Sequence, residues 1–496
     1  MTRPNILFIL SDQHAQRAAG CYGDPSGVTP HLDRLAAEGV VFENAYCPSP
    51  ICGPSRMSLM TGKQPHETGC WLNSDILNSG QPTYAHALGA AGYRAALIGR
   101  MHFIGPDQTH GFSTRLVGDH SANWPGNPTF DHEDLRGTSG PAAISVTKSG
   151  PGTNAYVVKD RDATSAAVDW LRDTGARQKG GDAMPFHLTL GFMLPHPPYV
   201  CDPDDFAEVS GRVPDPVGTA DELGPDHPWL RRWREITGIT EMNPEDVARA
   251  RQAYWGMLYR LDQNIGAVLS ALDAAGLAEN TLVIYASDHG DHLGNRGLFW
   301  KHSFYDDSVK VPMVMRWPAH LPKGARRTGL VSLTDLGATM LDAAAGDWTG
   351  GGQSLLPLAK DAAAPWVDEV VSEYCVGLND SYSFADVTMN RMIRCGRFKL
   401  IYYHGYPCQL FDLESDPLER VDLSEDRRYA QIRDRLLHRV LADWAPEQIK
   451  RQILVRDREA ALLSAWAQQT SPQEQHRWDM PRGESSGLAG EYSGLR

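Results

Sequence analysis

Long hydrophobic runs, a cysteine framework and excess positive charge are all absent from this 496-residue chain. No stretch offers the roughly twenty consecutive apolar residues that a membrane span requires. The N-terminal apolar run Ile6–Leu10 stops at Ser11-Asp12 and is too short for a secretory leader. The eight cysteines, at positions 21, 47, 52, 70, 201, 375, 395 and 408, form neither a CxxC pair nor zinc-finger spacing, and a chain of this size folds without disulfides. With 47 Lys+Arg against 61 Asp+Glu, the net charge of −14 creates no field for gathering a polyanion, which argues against nucleic acid or an anionic membrane as a partner. The expectation is a soluble protein in a reduced, cytoplasmic setting, where any anionic ligand is held by a local cationic pocket.

What is present is enough chain for one large domain and a smaller one. Short apolar runs bounded by turn residues read as buried strands at Asn5–Leu10, Arg94–Gly99, Phe186–Phe192, Thr281–Ser287 and Val311–Trp317. Helical patterns lie between them. Thr29–Gly39 carries an N-cap, a proline at the first position and a terminal glycine. From Pro244 to Ala275, Tyr254, Leu258, Leu261, Ile265, Val268 and Leu269 recur at helical spacing, and the stripe with Trp255 and Tyr259 reads as helix core. This alternation predicts an α/β fold, a large, mostly parallel sheet flanked by helices over residues 1–368, with its site at the carboxyl ends of the strands. Residues 369–470 read as a smaller α+β domain, with strand-like stretches Glu369–Cys375, Met392–Tyr403 and Gln409–Leu413 before two amphipathic helices between Arg428 and Gln469. The tail, 471–496, reads either as a frayed end or as an arm on a neighbouring subunit of a homo-oligomer, a dimer or tetramer.

Three segments carry chemistry. Ser11-Asp12-Gln13 ends the first strand with a carboxylate and an amide oxygen, donors that suit a hard cation. Asp288-His289-Gly290-Asp291-His292 ends another with a carboxylate beside an imidazole; two such ends point to one shared divalent metal. The third is Cys52-Gly53-Pro54-Ser55-Arg56, with Thr61-Gly62-Lys63 following. Taken alone, Cys52 is a small buried hydrophobe, as free cysteines usually are.

With its context, this motif resembles the Cys-x-Pro-Ser-Arg signature of the type I sulfatases of the alkaline phosphatase superfamily. The likeness runs from Pro4-Asn5-Ile6-Leu7 to Phe411–Pro417, and Gly99–Gln108 and Trp300–Phe304 are similar to the choline-sulfatase branch. The resemblance implies that a formylglycine-generating or sulfatase-maturing enzyme converts Cys52 to formylglycine. It also implies a metal held by Asp12, Gln13, Cys52, Asp288 and His289. Gln13 and His289 stand where many relatives have Asp and Asn, which makes the site less purely calcium-like; calcium stays the first expectation, and manganese is the alternative because imidazole nitrogen suits transition metals. Arg56 matches the motif arginine, Arg100 and His102 a Lys-x-His pair, His196 the histidine contacting sulfate, Lys301 the cationic clamp and Asn73 a substrate contact. Arg100 departs from the family lysine and cannot give up a proton.

The implied reaction is hydrolysis of an organic sulfate monoester, aryl, alkyl or choline, to alcohol and sulfate. One hydroxyl of the formylglycine hydrate attacks sulfur while Arg56, Arg100, Lys301 and the metal neutralise charge. His196, ahead of Lys301, protonates the leaving alcohol, and His102 removes the second hydroxyl proton so that sulfate is expelled. A phosphonate monoester hydrolase or phosphodiesterase built from the same parts is the alternative, and a non-catalytic anion-binding relative a remote one. His14, His31, His66, His110, His292 and His302 read as structural or as supports behind the site residues.

Overall fold

The computed structural model describes residues 3–128, 130, 132–218, 227–377 and 387–495. The run after Pro4 becomes β1 (Asn5–Ser11), buried along its whole length. A strand with no solvent face must be covered on both sides, and β1 lies inside an eight-stranded sheet. The strand order is β10 (Ala325–Ser332), β2 (Val40–Tyr46), β9 (Met313–Arg316), β8 (Thr281–Ser287), β1, β6 (Phe186–Gly191), β3 (Arg94–Gly99) and β4 (Thr114–Leu116). Only β9 runs against its neighbours, so the sheet is mixed and mostly parallel. Register then decides the site: Ser11 sits opposite Ser287 and Leu10 opposite Gly191, so the residues after β1, β6 and β8 emerge together at one edge.

The helix Pro244–Ala274 packs against the helix Ala155–Lys179, and its aromatic stripe also serves the site. Tyr254 is fully buried, donates from its hydroxyl to the Gln13 carbonyl (2.7 Å) and accepts from the Ala15 amide (2.9 Å).

Three sequence readings change. Val40–Tyr46 and Ala325–Ser332 are strands that the sequence did not reveal; the latter carries the charged, edge-strand composition Ala-Arg-Arg-Thr-Gly. The stretch Met392–Tyr403 is two strands, β12 (Thr388–Cys395) and β13 (Phe398–Tyr403), because Gly396 at φ +55° turns the chain into a hairpin closed by the Cys395–Phe398 pair. They join β11 (Glu369–Val376) and β14 (Gln409–Asp412) in an antiparallel sheet covered by the helices Ala430–Val440 and Pro446–Thr470. Lys399 of β13, fully buried, pins this sheet to the larger one by bonding Asp306 and Glu419, each at 2.7 Å.

The third change is the tail, which lies along its own chain. β15 (Gly487–Leu488) pairs with β5 (Gly150–Thr153), which continues to β7 (Val200–Cys201). The Trp478 amide donates to the Asp119 carbonyl at 2.7 Å and its indole to Asp162 at 2.9 Å. Gly118 and Gly152 make this possible: a Cβ at either would overlap a tail carbonyl, that of His476 or Gly487. No helix is long and apolar enough to cross a membrane among the described residues, and all eight cysteines are free thiols.

Candidate active site

Parallel pairing of β1 and β8 sets Asp12 and Asp288 side by side. Between them stands Cys52, the first residue of the fully buried helix Cys52–Thr61. The ligand atoms of Asp12, Cys52, Asp288 and His289 all lie within 4.8 Å of one another. Cys52 Sγ is 3.1 Å from His289 Nε2 and 3.5 Å from an Asp12 oxygen. His289 Nδ1 lies 3.1 Å from the Gly290 carbonyl, which only accepts. Nδ1 therefore carries the proton and the Nε2 lone pair points into the cluster. Burial holds this imidazole neutral, its pKa down to about 4.

Arg56 follows Cys52 by one helical turn on the same face. Its guanidinium, wholly buried, grips Asp288 (Nε, 2.8 Å) and Asp12 (Nη2, 3.1 Å), and Nη1 donates to the Arg100 carbonyl at 3.2 Å. In the fold it pairs with the two carboxylates, because both strand ends converge on that helix face.

Arg100, just after β3, spans four partners. Nε pairs with Asp12 at 2.7 Å, Nη1 reaches Asp119 (3.4 Å) and His120 (3.3 Å), and Nη2 donates to His102 Nδ1 at 2.8 Å. Burial alone would raise the Asp12 carboxyl, yet Arg100, with Arg56 and Lys301 beside it, holds it well below the usual carboxylate range. Burial, and after it the Arg100 charge, keep His102 neutral.

Lys301 fills the third side. Its ammonium donates to Gln13 Oε1 (2.8 Å), Cys52 Sγ (3.0 Å) and His196 Nε2 (3.1 Å), using all three of its protons. His196 Nδ1 lies 2.6 Å from the Pro197 carbonyl. Burial and the nearby Lys301 charge lower the His196 pKa to about 4. Gln13 is oriented by Asp291, which accepts from its Nε2 at 2.6 Å and from the Tyr199 hydroxyl at 2.7 Å. Asn73 is exposed, and its side-chain oxygen accepts from the Gly53 amide at 2.8 Å, tying it to the start of the Cys52 helix.

The backbone here is held in left-handed conformations that side chains resist: Gln13 (φ +68°), His102 (+64°), and Trp300 (+61°) and His302 (+77°) flanking Lys301. Each has an anchor. Asp288 accepts from the Gln13 amide (3.0 Å), Asp119 from the His102 amide (2.7 Å), Pro50 from that of His302 (3.3 Å), and the His292 amide donates to the Trp300 carbonyl (2.8 Å).

Beside the cluster opens a cavity of about 880 Å³, lined by His102, Asn73, His120, Trp124, Phe130 and Tyr156 among others. Tyr156, set by the Asn154 cap of its helix, lies edge-on to the His196 ring at 5.8 Å. Its hydroxyl is 3.3 Å from His120 Nε2 and 3.4 Å from His132 Nε2. Trp466 and Trp478 of the C-terminal region pack behind Trp124 and Phe130. Sequence reasoning missed Asp119, His120, His132 and Tyr156; they lie in irregular chain or inside a helix, with no motif to mark them.

A mixed sheet carrying these groups at one edge is an alkaline-phosphatase-like fold. The chain superposes on the phosphonate monoester hydrolase of Agrobacterium radiobacter with a TM-score of 0.69 at 22% identity, over 89% of this chain and 95% of that one, a likeness of fold. Residues 4–346 match the family model Sulfatase, and 294–445 match N-sulphoglucosamine sulphohydrolase, C-terminal. The chain belongs to the sulfatase family and is a sulfuric ester hydrolase. It is 31% identical to a choline-sulfatase of Rhizobium meliloti over 86% of this chain and 83% of that protein. It is 30% identical to arylsulfatase K of Danio rerio, over 88% and 84% respectively.

Proposed function

We propose that the chain hydrolyses sulfate monoesters of ring-bearing alcohols, phenols or sugars, ahead of choline sulfate. The observation that carries this is the setting of Cys52. It lies between the Lys301 ammonium (3.0 Å) and His289 (3.1 Å), beside an aromatic-walled cavity of about 880 Å³. That volume exceeds a choline headgroup several-fold. Among the described residues lining it, none is a carboxylate to pair with a quaternary ammonium. Trp124, Phe130 and Tyr156 offer faces for a ring.

Cys52 is read as the site of formylglycine, made by a maturing enzyme; the formylglycine supplies a geminal diol as nucleophile. The donor set fits a divalent cation, calcium or manganese. Two carboxylates and the His289 lone pair converge, with Asp291 turning the Gln13 oxygen toward the same centre. When bound, the cation supplies a Lewis acid beside residue 52. Asp12, Gln13, Asp288, His289 and residue 52 would hold it.

The remaining residues act on the ester. Lys301 and Arg100 provide fixed positive charge against the transferring group, preorganised because each is buried and already held by neighbours. Arg56 keeps the two carboxylates apart and oriented. His102 and Asn73 border the cavity where the leaving group lies, and Tyr156 forms part of its wall.

The test is to measure turnover of an aryl sulfate and an aryl phosphonate monoester by metal-loaded protein, alongside peptide mass spectrometry of residue 52. Sulfate turnover at least tenfold above phosphonate, with the mass change of formylglycine, is expected. A preference for phosphonate would make the chain a phosphonate hydrolase of the same architecture. Choline sulfate outpacing aryl sulfates would overturn the reading of the cavity.

A further inference from the structure

Two imidazoles face the reacting centre, and their hydrogen-bond partners decide where each carries its proton. A guanidinium has only donors, an ammonium has only donors and a carbonyl has only lone pairs. Arg100 Nη2 lies 2.8 Å from His102 Nδ1, so Nδ1 is the acceptor and the proton of the neutral ring sits on Nε2. Around His196 both ends give one answer. The Pro197 carbonyl, 2.6 Å from Nδ1, requires a proton there, and the Lys301 ammonium, 3.1 Å from Nε2, requires a lone pair there.

The two rings are therefore opposite tautomers. His102 lines the leaving-group cavity, and with Nδ1 occupied, Nε2–H is the atom it has left to present. We propose that Arg100 locks His102 as a hydrogen-bond donor to the departing oxygen, while His196 is the imidazole whose lone pair lies on the residue-52 side. This reverses the roles that the motifs suggest, in which His196 is the acid and His102 the base. The assignment deepens the sulfatase reading and rests on it for the identity of the departing oxygen.

No proton leaves His102. As the attacking hydroxyl oxygen bonds to sulfur and passes its proton to the His196 lone pair, the S–O bond to the leaving group breaks; its electron pair stays on the ester oxygen, which departs as an oxyanion bonded to Nε2–H and takes a proton from water afterwards. Asp119 makes the lock firm. One of its oxygens accepts from the His102 amide at 2.7 Å, holding the ring's backbone at φ +64°, and the other pairs with Arg100. A site that stabilises an oxyanion without protonating it favours acidic leaving groups, which narrows the proposed ring-bearing substrates to phenols ahead of alcohols and sugars.

Two measurements on the full-length, metal-loaded enzyme test this. In protein labelled with 15N-histidine, long-range 1H–15N correlation separates the two tautomers. The His102 and His196 signals are assigned by their loss in His102→Gln and His196→Gln. An Nε2–H ring at His102 and an Nδ1–H ring at His196 are expected, and an Nδ1–H ring at His102 overturns the proposal. The second measurement is turnover of an aryl sulfate. Glutamine can place an amide N–H near the position of Nε2 but cannot act as a base. Both variants lose activity, but His102→Ala should fall by about a hundredfold or more, the usual cost of one oxyanion donor, and His102→Gln by about tenfold less than that. Equal losses in the two variants sink the donor role. If the wild type hydrolyses no sulfate ester, the sulfatase reading fails, and the tautomers still decide the lock.

Discussion

Replacing Gly118 with alanine tests whether the C-terminal strap shapes the chemistry. A Cβ at this position would overlap the backbone carbonyl of His476, and no rotamer change relieves a clash with backbone. The strap must move, and what it surrenders can be counted. The Trp478 amide bonds the Asp119 carbonyl at 2.7 Å, the Gln475 amide bonds Asn123 at 2.6 Å, and the Asn123 amide bonds Glu474 at 3.1 Å. At about 1 kcal/mol each, losing two or three of these costs about 2–3 kcal/mol locally. Opening of residues 474–480 should rise by about 30- to 150-fold, read by hydrogen exchange of those amides. The buried Trp478 indole, stacked on Phe130 and bonded to Asp162, keeps the rest in place. Asp119 links the strap to the chemistry, since its carboxylate holds both Arg100 and the His102 amide. Loosening it displaces two groups by a fraction of an ångström to an ångström, enough to lower kcat by about ten- to a hundredfold. Faster exchange with unchanged kcat would refute the coupling. Unchanged exchange would refute the close approach itself.

Three further outcomes follow from buried charge. Arg56→Ala leaves the Asp12 and Asp288 carboxylates without their shared guanidinium and should cost about 3–5 kcal/mol in urea unfolding. Added calcium or manganese should recover more of the melting temperature in this variant than in wild type. Lys399→Met removes the partner of Asp306. Burial would raise this carboxyl, but the Lys399 charge holds it below its ordinary value of 3.8. A depressed carboxyl contributes stability that is present above pH 3.8 and is lost as pH falls through the lower folded value. Without the lysine that reserve shrinks to what Lys310 and Arg394 still hold, so acid unfolding, followed by circular dichroism from pH 6 to 2, should begin at higher pH. Arg100→Lys keeps the charge but not the fork that reaches Asp12, Asp119 and His102 together. It should lower kcat by about tenfold or more and let both His102 tautomers appear in the 15N spectrum, whereas a purely electrostatic role for Arg100 would leave the rate unchanged.

The fold was legible where burial imposes a pattern. Ile6–Leu10 and Leu282–Ala286 are apolar without interruption because no face of β1 or β8 meets water, and the long helix shows its stripe because one side packs. β10 was illegible because edge strands are kept charged. The hairpin at Gly396 was hidden because both of its strands are apolar enough to read as one. Within the site, Asp12, Cys52, Arg56, Asp288 and Lys301 were legible through local motifs. Asp119, Tyr156 and the strap were not. Their contribution depends on contacts between residues separated by tens to hundreds of positions, and on a left-handed backbone at His102 that no propensity announces.

The net charge of −14 says nothing about how an anion is held here, because the deciding charges are buried. Arg56, Arg100 and Lys301 lie within bonding distance of Asp12, Asp288 or Cys52. Arg56 is spent on carboxylates, Arg100 divides itself between two carboxylates and two imidazoles, and Lys301 uses all three protons on Gln13, Cys52 and His196. None is a spare cation waiting for substrate. An incoming anion must therefore exchange partners with Lys301, the group whose neighbours are an amide oxygen, a sulfur and a neutral ring and whose bonds are the cheapest to replace. The same exchange frees the lone pair of His196. On the roles proposed above, anion binding and the freeing of the His196 lone pair are one event, centred on Lys301, and the arginines provide the fixed frame in which it occurs.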